Sequence, residues 1–225
     1  MTFSLIGRCA ETGMFGVAIT TSSICVASRC PWARAGVGAV STQNVTDPRI
    51  GTQALDLMAQ GRSAPEALRD VVASNKFPEF RQVTVIDRQG RIAHHTGART
   101  LGTAAVAEGM DCLAAGNLLK TRDVPAAMAR KFETGGGLHL AERLLRGLEA
   151  GFAAGGEMGP VKSAGLLVVD KQMWPLVDLR VDWSDEGPVA GLRELWRLYE
   201  PQMADYVTRA LDPHSAPAYG VPGDP

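Results

Sequence analysis

Thr2 follows the initiator methionine and carries a hydroxyl. Removal of Met1 would leave that hydroxyl and a free α-amine on one residue, a nucleophile and a general base of the N-terminal threonine type. An unperturbed α-amine titrates near ~7.7–8.0, so a useful fraction is a free base at neutral pH. The hydroxyl would attack a carbonyl, and the amine would carry its proton directly or through one water. Read without chemistry, the same stretch is simply the start of a strand, and the residues leave both readings open.

Other candidates are side chains able to bind or polarise a substrate. Asn117, after Gly116, is a candidate oxyanion donor, since a carboxamide on a tight turn can meet developing negative charge. Its alternative is a turn residue selected for left-handed backbone. His94 and His95 lead into Thr96 and Gly97 at the end of a strand. Neighbours on a strand face opposite ways, so one histidine at most faces a site. His95 and Thr96 are the candidates, with a plain structural histidine as the alternative. Arg29 and Arg34 flank Pro31-Trp32 and would suit a substrate carboxylate, with Trp32 as an apolar wall. A salt-bridged surface loop is the competing reading. Gln43 and Asn44 complete the polar set. Cys25 and Cys30 are rival nucleophiles because Arg29 adjoins Cys30, but no Cys-His-Asn spacing accompanies them and buried thiols are favoured. Gly135-Gly136-Gly137 lacks the lysine and preceding strand of a phosphate loop and reads as a helix terminator.

Composition narrows the field. At 225 residues the chain can bury a full core, and its net charge of −1 offers no basic field for nucleic acid. Its 4 cysteines have neither CxxC nor zinc spacing, so free thiols in a reducing compartment are expected, with no metal and no cofactor. No signal-peptide pattern opens the chain, and no apolar run reaches membrane length. A cytoplasmic protein without a membrane partner is the expectation.

The elements that must position these residues follow from patterning. Phe3–Arg8 and Phe15–Thr21 form a hairpin around Gly13, and 22–29 continues extended. Trp32 to Gly36 reads as a connector and Val37–Gln43 as a small-residue strand. Ile50–Gln60 is helical. Ser63 and Glu66 form a capping box that opens a helix running to Ser74. Val83–Ile86 and Arg91–His95 form a second hairpin, with weaker strands near Thr103–Ala107 and Met110–Ala115. Helices follow from Asp123 to Gly135 and along Leu140–Phe152. Ala164–Val169 is a fully buried strand, paired with Leu176–Asp182, and Pro188 to Arg209 is amphipathic. Helices thus arrive in pairs between hairpins, which makes the chain α+β. A four-layer sandwich, sheets inside and helices outside, is one option among several for this order. Residues 1–183 are expected to form the main domain, 184–210 a C-terminal amphipathic helix packed on it, and 211–225 a flexible tail.

Several stretches resemble one family in order and spacing: TFSLIGRCAETGMFGVAITTSS, PWARAGVGAVSTQNV, RQVTVIDRQGRIAHHTG, AAGNLL, and LRVD followed by Pro188-Val189, Leu192 and Leu195. The chain resembles the DUF1028 proteins, a bacterial and archaeal group of unknown function similar in fold to the N-terminal nucleophile (Ntn) hydrolases. The resemblance runs to about Tyr199. It implies an αββα sandwich and an enzyme class acting mostly on amide bonds, with Thr2 at the nucleophile's place. Proteasome-type Ntn enzymes keep an acid at the end of the second strand and a lysine beyond it; here Ser22 and Arg29 stand in that neighbourhood.

The resulting expectation is an Ntn-type hydrolase of a small or peptide-like amide, using Thr2, Asn117 and His95, with Arg29, Trp32, Arg34, Gln43, Asn44 and Thr96 on the substrate. Two alternatives stay open: a non-catalytic small-molecule binder on the same fold, and an oligomeric interaction protein joined through its last helix. A homo-oligomer is expected.

Overall fold

A computed structural model describes residues 1–221. The first hairpin is present as β1 (Thr2–Arg8) and β2 (Phe15–Thr21), in register from Thr2 opposite Thr21 to Arg8 opposite Phe15. Gly13 closes its turn at φ +80°, a conformation that costs glycine little. On its other edge β1 pairs with β8 (Cys112–Asn117), which brings Thr2 opposite Asn117. With β7 (Ala105–Gly109), β9 (Ser163–Val169) and β10 (Val177–Val181), these strands form a six-stranded antiparallel sheet in the order β10-β9-β2-β1-β8-β7. A second sheet runs β3 (Pro31–Arg34), β4 (Gly38–Asn44), β5 (Arg81–Asp87), β6 (Ile92–Thr96), again antiparallel.

Side-chain alternation sorts most of the buried apolar residues into three regions, with a smaller cluster of Ile19, Val26 and Cys30 beside them. Phe3 and Leu5 point one way from β1 and share a core with α3 (Val124–Glu133) and α4 (Leu140–Ala153), through Met128, Phe132, Leu144 and Leu148. Glycine permits this close approach: a Cβ on Gly147 would lie 2.3 Å from Leu5, and one on Gly7 2.7 Å from the Phe132 ring. From β4 and β5, Val40, Val83 and Val85 meet α1 (Arg49–Ala59) and α2 (Ala64–Ser74). Between the sheets, Ile6, Phe15, Val17 and Leu113 of the first pack on Ala39 and Ile86 of the second. The protein is therefore a mixed α/β fold with two antiparallel sheets and helices packed against each.

The capping box is present: Ser63 N–H donates to Glu66 Oε2 at 2.8 Å, and Glu66 N–H to Ser63 Oγ at 3.4 Å. Three local expectations are corrected. Residues 22–29 are not extended; Cys25 is left-handed at φ 53° and opens a short 3-10 turn, Val26–Ser28, whose first N–H is taken by Ser163 Oγ at 3.1 Å. The connector at Trp32 is strand β3, and Pro31 is tolerated because β3 lies at a sheet edge. The helix expected from Pro188 to Arg209 is broken into α5 (Pro188–Tyr199) and α6 (Met203–Leu211), with Pro201 in the intervening turn.

Val189, Leu192 and Trp196 of α5 belong to the core of the first sheet, whereas α6 buries no residue. The apolar stripe of α5 is thus spent inside the chain. The tail expected over 211–225 falls partly on residues 222–225, outside the described residues. No helix among the described residues is long and apolar enough to cross a membrane.

Candidate functional site

Thr2 sits at the end of β1 where three strands meet. Residues directly opposite in antiparallel strands share a face, so Thr21 and Asn117 flank it, and all three face the second sheet. Thr2 is buried, its hydroxyl donating to the Met1 carbonyl at 2.6 Å and lying 3.0 Å from Thr21 Oγ1. The Thr21 hydroxyl donates to the same carbonyl. Two hydroxyls therefore hold the carbonyl of the residue preceding Thr2.

Beneath Thr2 a chain of buried amides crosses between the sheets. Ser4 Oγ donates to Gln43 Oε1 at 2.7 Å, and Gln43 Nε2 to Gln82 Oε1 at 2.8 Å. The same Gln82 oxygen accepts from Asn117 Nδ2 at 3.1 Å. Gln82 Nε2 donates to Gly116 O at 3.1 Å and, more weakly, to Thr96 Oγ1 at 3.4 Å. Asn117 is fully buried, and its Oδ1 has no partner. Asn117 thus ends a strand rather than forming a tight turn, with its carboxamide held in place by Gln82.

Of the residues named from sequence, Asn117, Gln43 and Thr96 are joined here through Gln82, and Thr2 lies opposite Asn117 on the same face. Five do not join them. His95 pairs with Val83, whose side chain lies on the helix-facing side, and its Nε2 meets Pro78 O at 2.9 Å. Asn44 braces loops, donating to Phe80 O at 2.6 Å and accepting from Leu101 N–H at 3.2 Å. Arg29 donates to Ile24 O and Cys25 O, fastening the left-handed turn. Trp32 donates to Arg29 O at 3.2 Å and packs on Gly51 of α1. Arg34 pairs with Asp56 at 2.8 Å.

Of the rival cysteines, Cys30 is buried and poorly placed to act as a nucleophile. Burial pushes the Cys30 thiol up, against hydrogen bonding from Thr46 and the charge of Arg29. No group of three or more His, Cys, Asp or Glu side chains that could hold a metal occurs among the described residues.

Three site residues escaped sequence reasoning: Thr21, Gln82 and Glu157. The first two sit inside ordinary strand patterns. Glu157 lies in the Gly155-Gly156-Glu157-Met158-Gly159-Pro160 connection between α4 and β9. An antiparallel bridge to Leu119 and a Met158 N–H to Leu118 O bond of 2.9 Å pin it beside the segment leaving Asn117. It is 3% exposed, and neither carboxylate oxygen has a hydrogen-bond partner. Burial pushes its pKa up to about 8; the Met1 amino group and the Ser22 N–H draw it back, the latter approaching without reaching good hydrogen-bond geometry. Glu157 borders a cleft of about 490 Å³ with Lys120, Phe152, Val161 and Asp185.

The family model of DUF1028, a family of unknown function, matches residues 2–192. Among solved structures, protein SPO2555 from Silicibacter pomeroyi, assigned to the same family, is 27% identical with a TM-score of 0.84, over 91% of this chain and 89% of that one. Anbu, an ancestral beta-subunit, from Yersinia bercovieri matches with a TM-score of 0.38 at 10% identity, over 92% of this chain and 97% of that one. A search of curated proteins found no match.

Proposed function

Since this chain belongs to the DUF1028 family, whose function is unknown, we propose a reading from the site itself: an Ntn-type hydrolase of a small or peptide-like amide, with Thr2 as nucleophile once Met1 is removed. On this reading the two facing sheets and their outer helices form the four-layer αββα sandwich of that enzyme class. Residues 1–183 are the catalytic domain, 184–210 are packed on it, and 211–225 are a tail.

One observation carries the reading. The Thr2 hydroxyl stands at the free end of a central strand, 3.0 Å from Thr21 Oγ1, with the carboxamide of Asn117 opposite it on the same face. Thr2 Oγ attacks the amide carbonyl carbon while its proton passes to the Thr2 amine. An N–H of Asn117 meets the oxyanion. The C–N bond breaks as the ammonium returns its proton to the leaving amine, which leaves an ester on Thr2 Oγ. Water then adds to the ester, again giving a proton to the amine. The C–O bond breaks, the acid departs, and that proton restores the hydroxyl.

The test has two steps. Intact mass of the protein from its native host should show loss of one methionine residue, and retention would sink the mechanism. In the trimmed protein, Thr2→Ala should lower amide hydrolysis by on the order of 10³-fold or more with little change in Tm.

A second reading, a small-molecule binder that keeps Met1, draws on the two hydroxyls that hold the Met1 carbonyl. It requires a mature mass that retains methionine and ligand binding indifferent to Thr2→Ala.

A further inference from the structure

Glu157 takes no part in the chemistry above, yet its position at this end of the molecule is costly. A carboxyl group withdrawn from water with no partner loses several kcal/mol of solvation unless it stays neutral or meets a cation. Its carboxylate is nine-tenths buried and more, without a hydrogen bond, on the wall of a cleft of about 490 Å³. The charge that acts on it most favourably is an amino group, that of Met1.

The position of Met1 shows how an acyl group can lie here. Its carbonyl is held by the Thr2 and Thr21 hydroxyls. Its amino group acts on Glu157 through charge alone, favouring the ionised carboxylate without a hydrogen bond. Its side chain runs along Gly159, where a Cβ would stand 3.0 Å from Met1 Cε and 3.5 Å from Sδ. Met1 is an acyl group joined to the nitrogen of Thr2; in the proposed ester, the substrate's acyl group is joined to the oxygen of the same residue. Both attachment points belong to Thr2, so the acyl half of a substrate is directed to the same surroundings: the Thr21 hydroxyl, Glu157 and the wall at Gly159.

We propose that the acyl half of the substrate is an α-aminoacyl group with an unbranched side chain, its free α-amine taken by Glu157 and its side chain by the glycine-lined wall at Gly159. The proposal rests on the hydrolase reading and specifies its substrate class: amides of unblocked amino acids, or peptides with a free amino end. Gly159 leaves the wall without a Cβ where the Met1 side chain passes, beside a cleft that Phe152 and Val161 also line, which suits an unbranched chain. The amine supplies the one thing the buried carboxyl lacks. An N-acylated substrate brings no positive charge and leaves Glu157 unpaired, and a site with an unpaired buried group rejects such an analogue strongly.

The experiment uses protein from which a methionine aminopeptidase has removed Met1, as verified by mass. Hydrolysis of methionyl p-nitroanilide and N-acetylmethionyl p-nitroanilide is measured on the wild type and on Glu157→Gln. Binding of methioninamide and N-acetylmethioninamide is measured by calorimetry on the same proteins. The free amine should be preferred by about 10²-fold or more in both readouts, and Glu157→Gln should remove the preference by lowering only the free-amine values. Equal losses for both substrates would overturn the proposal by showing that Glu157 serves Thr2 or the fold. So would equal binding of the two amides by the wild type, a result that needs no folded variant. Selective binding without turnover of either anilide would sink the hydrolase reading and leave the amine site standing.

Discussion

Gln82 makes more of the candidate site than any residue chosen from sequence. Its oxygen accepts from Gln43 and Asn117, and its nitrogen serves Gly116 O and Thr96. Replacement by leucine strands two buried amides and a carbonyl at once, so Gln82→Leu should cost about 2–4 kcal/mol, read by urea denaturation. Glu157 behaves in the opposite sense. Its pKa is raised from 4.5 to about 8, mainly by burial, so the folded protein holds a proton that the unfolded chain has released. Stability from this group is full below about pH 4.5, falls as pH rises, and stops falling above about 8. Glu157→Gln should therefore leave Tm unchanged at pH 4 and raise it increasingly toward pH 8; an equal Tm difference at both pH values would rule out titration of Glu157 as the cause. Neither residue was legible. A glutamine in a strand and a lone acid among glycines have no distinctive spacing, and their meaning lies in partners far away in the chain. Thr2 and Asn117 could be named because one is marked by chemistry and the other by its motif, but His95 shows the limit of such marking. Strand alternation says that His94 and His95 face opposite ways without saying which way the site lies.

At the scale of elements, local signals were legible wherever the chain decides its own conformation. The Ser63–Glu66 box is an example: both hydrogen bonds form within four residues. What sequence missed is the second support of that helix. Asp87, at the end of β5 and nearly fully buried, accepts from Ala64 N–H at 2.9 Å and also from the N–H groups of Gln89 and Arg91 and from Arg91 Nε. One carboxylate thus closes the β5–β6 turn and caps α2. Burial works against its ionisation, but these donors outweigh it and hold its pKa below the usual carboxylate range. Ser63→Ala should cost about 1 kcal/mol, whereas Asp87→Ala, which leaves several donors unmet, should cost about 2–4 kcal/mol. Comparable losses in denaturant titrations would show that the serine carries the cap. The turn at 22–29 was illegible for the same reason as Asp87. Its first N–H is satisfied by Ser163, a residue on β9. Pro201 was visible in sequence, but the apolar stripe through Leu195, Trp196 and Tyr199 invited extension of one helix past it.

Across the whole molecule, the layer between the sheets changes character along its length. One end, around Ile6, Phe15, Val17, Ala39, Ile86 and Leu113, is apolar. The end at Thr2 is lined by Ser4, Thr21, Gln43, Gln82 and Asn117, all buried. Periodicity made both sheets legible, because hydroxyl and amide residues at alternate positions still read as strands. It could not reveal that the polar positions of five strands meet. Burial of apolar surface stabilises the first end, while polar atoms at the second must find partners. Most do, but the hydroxyls of Ser41 and Thr84, paired with each other in register, have none. Such a pair lowers stability unless it serves a ligand, and it lies one step further along the strands than Gln43 and Gln82. Thr84→Val keeps the side chain's shape and removes the orphan hydroxyl. It should raise stability by about 1 kcal/mol and Tm by ~2–4 °C in a chain of this size. On the hydrolase reading amide turnover should be unchanged, since Thr84 contributes no hydrogen bond to the chain of amides under Thr2. A fall in Tm would mean that ordered water satisfies these hydroxyls, and the polar end of the layer would then be hydrated as far as Ser41 and Thr84.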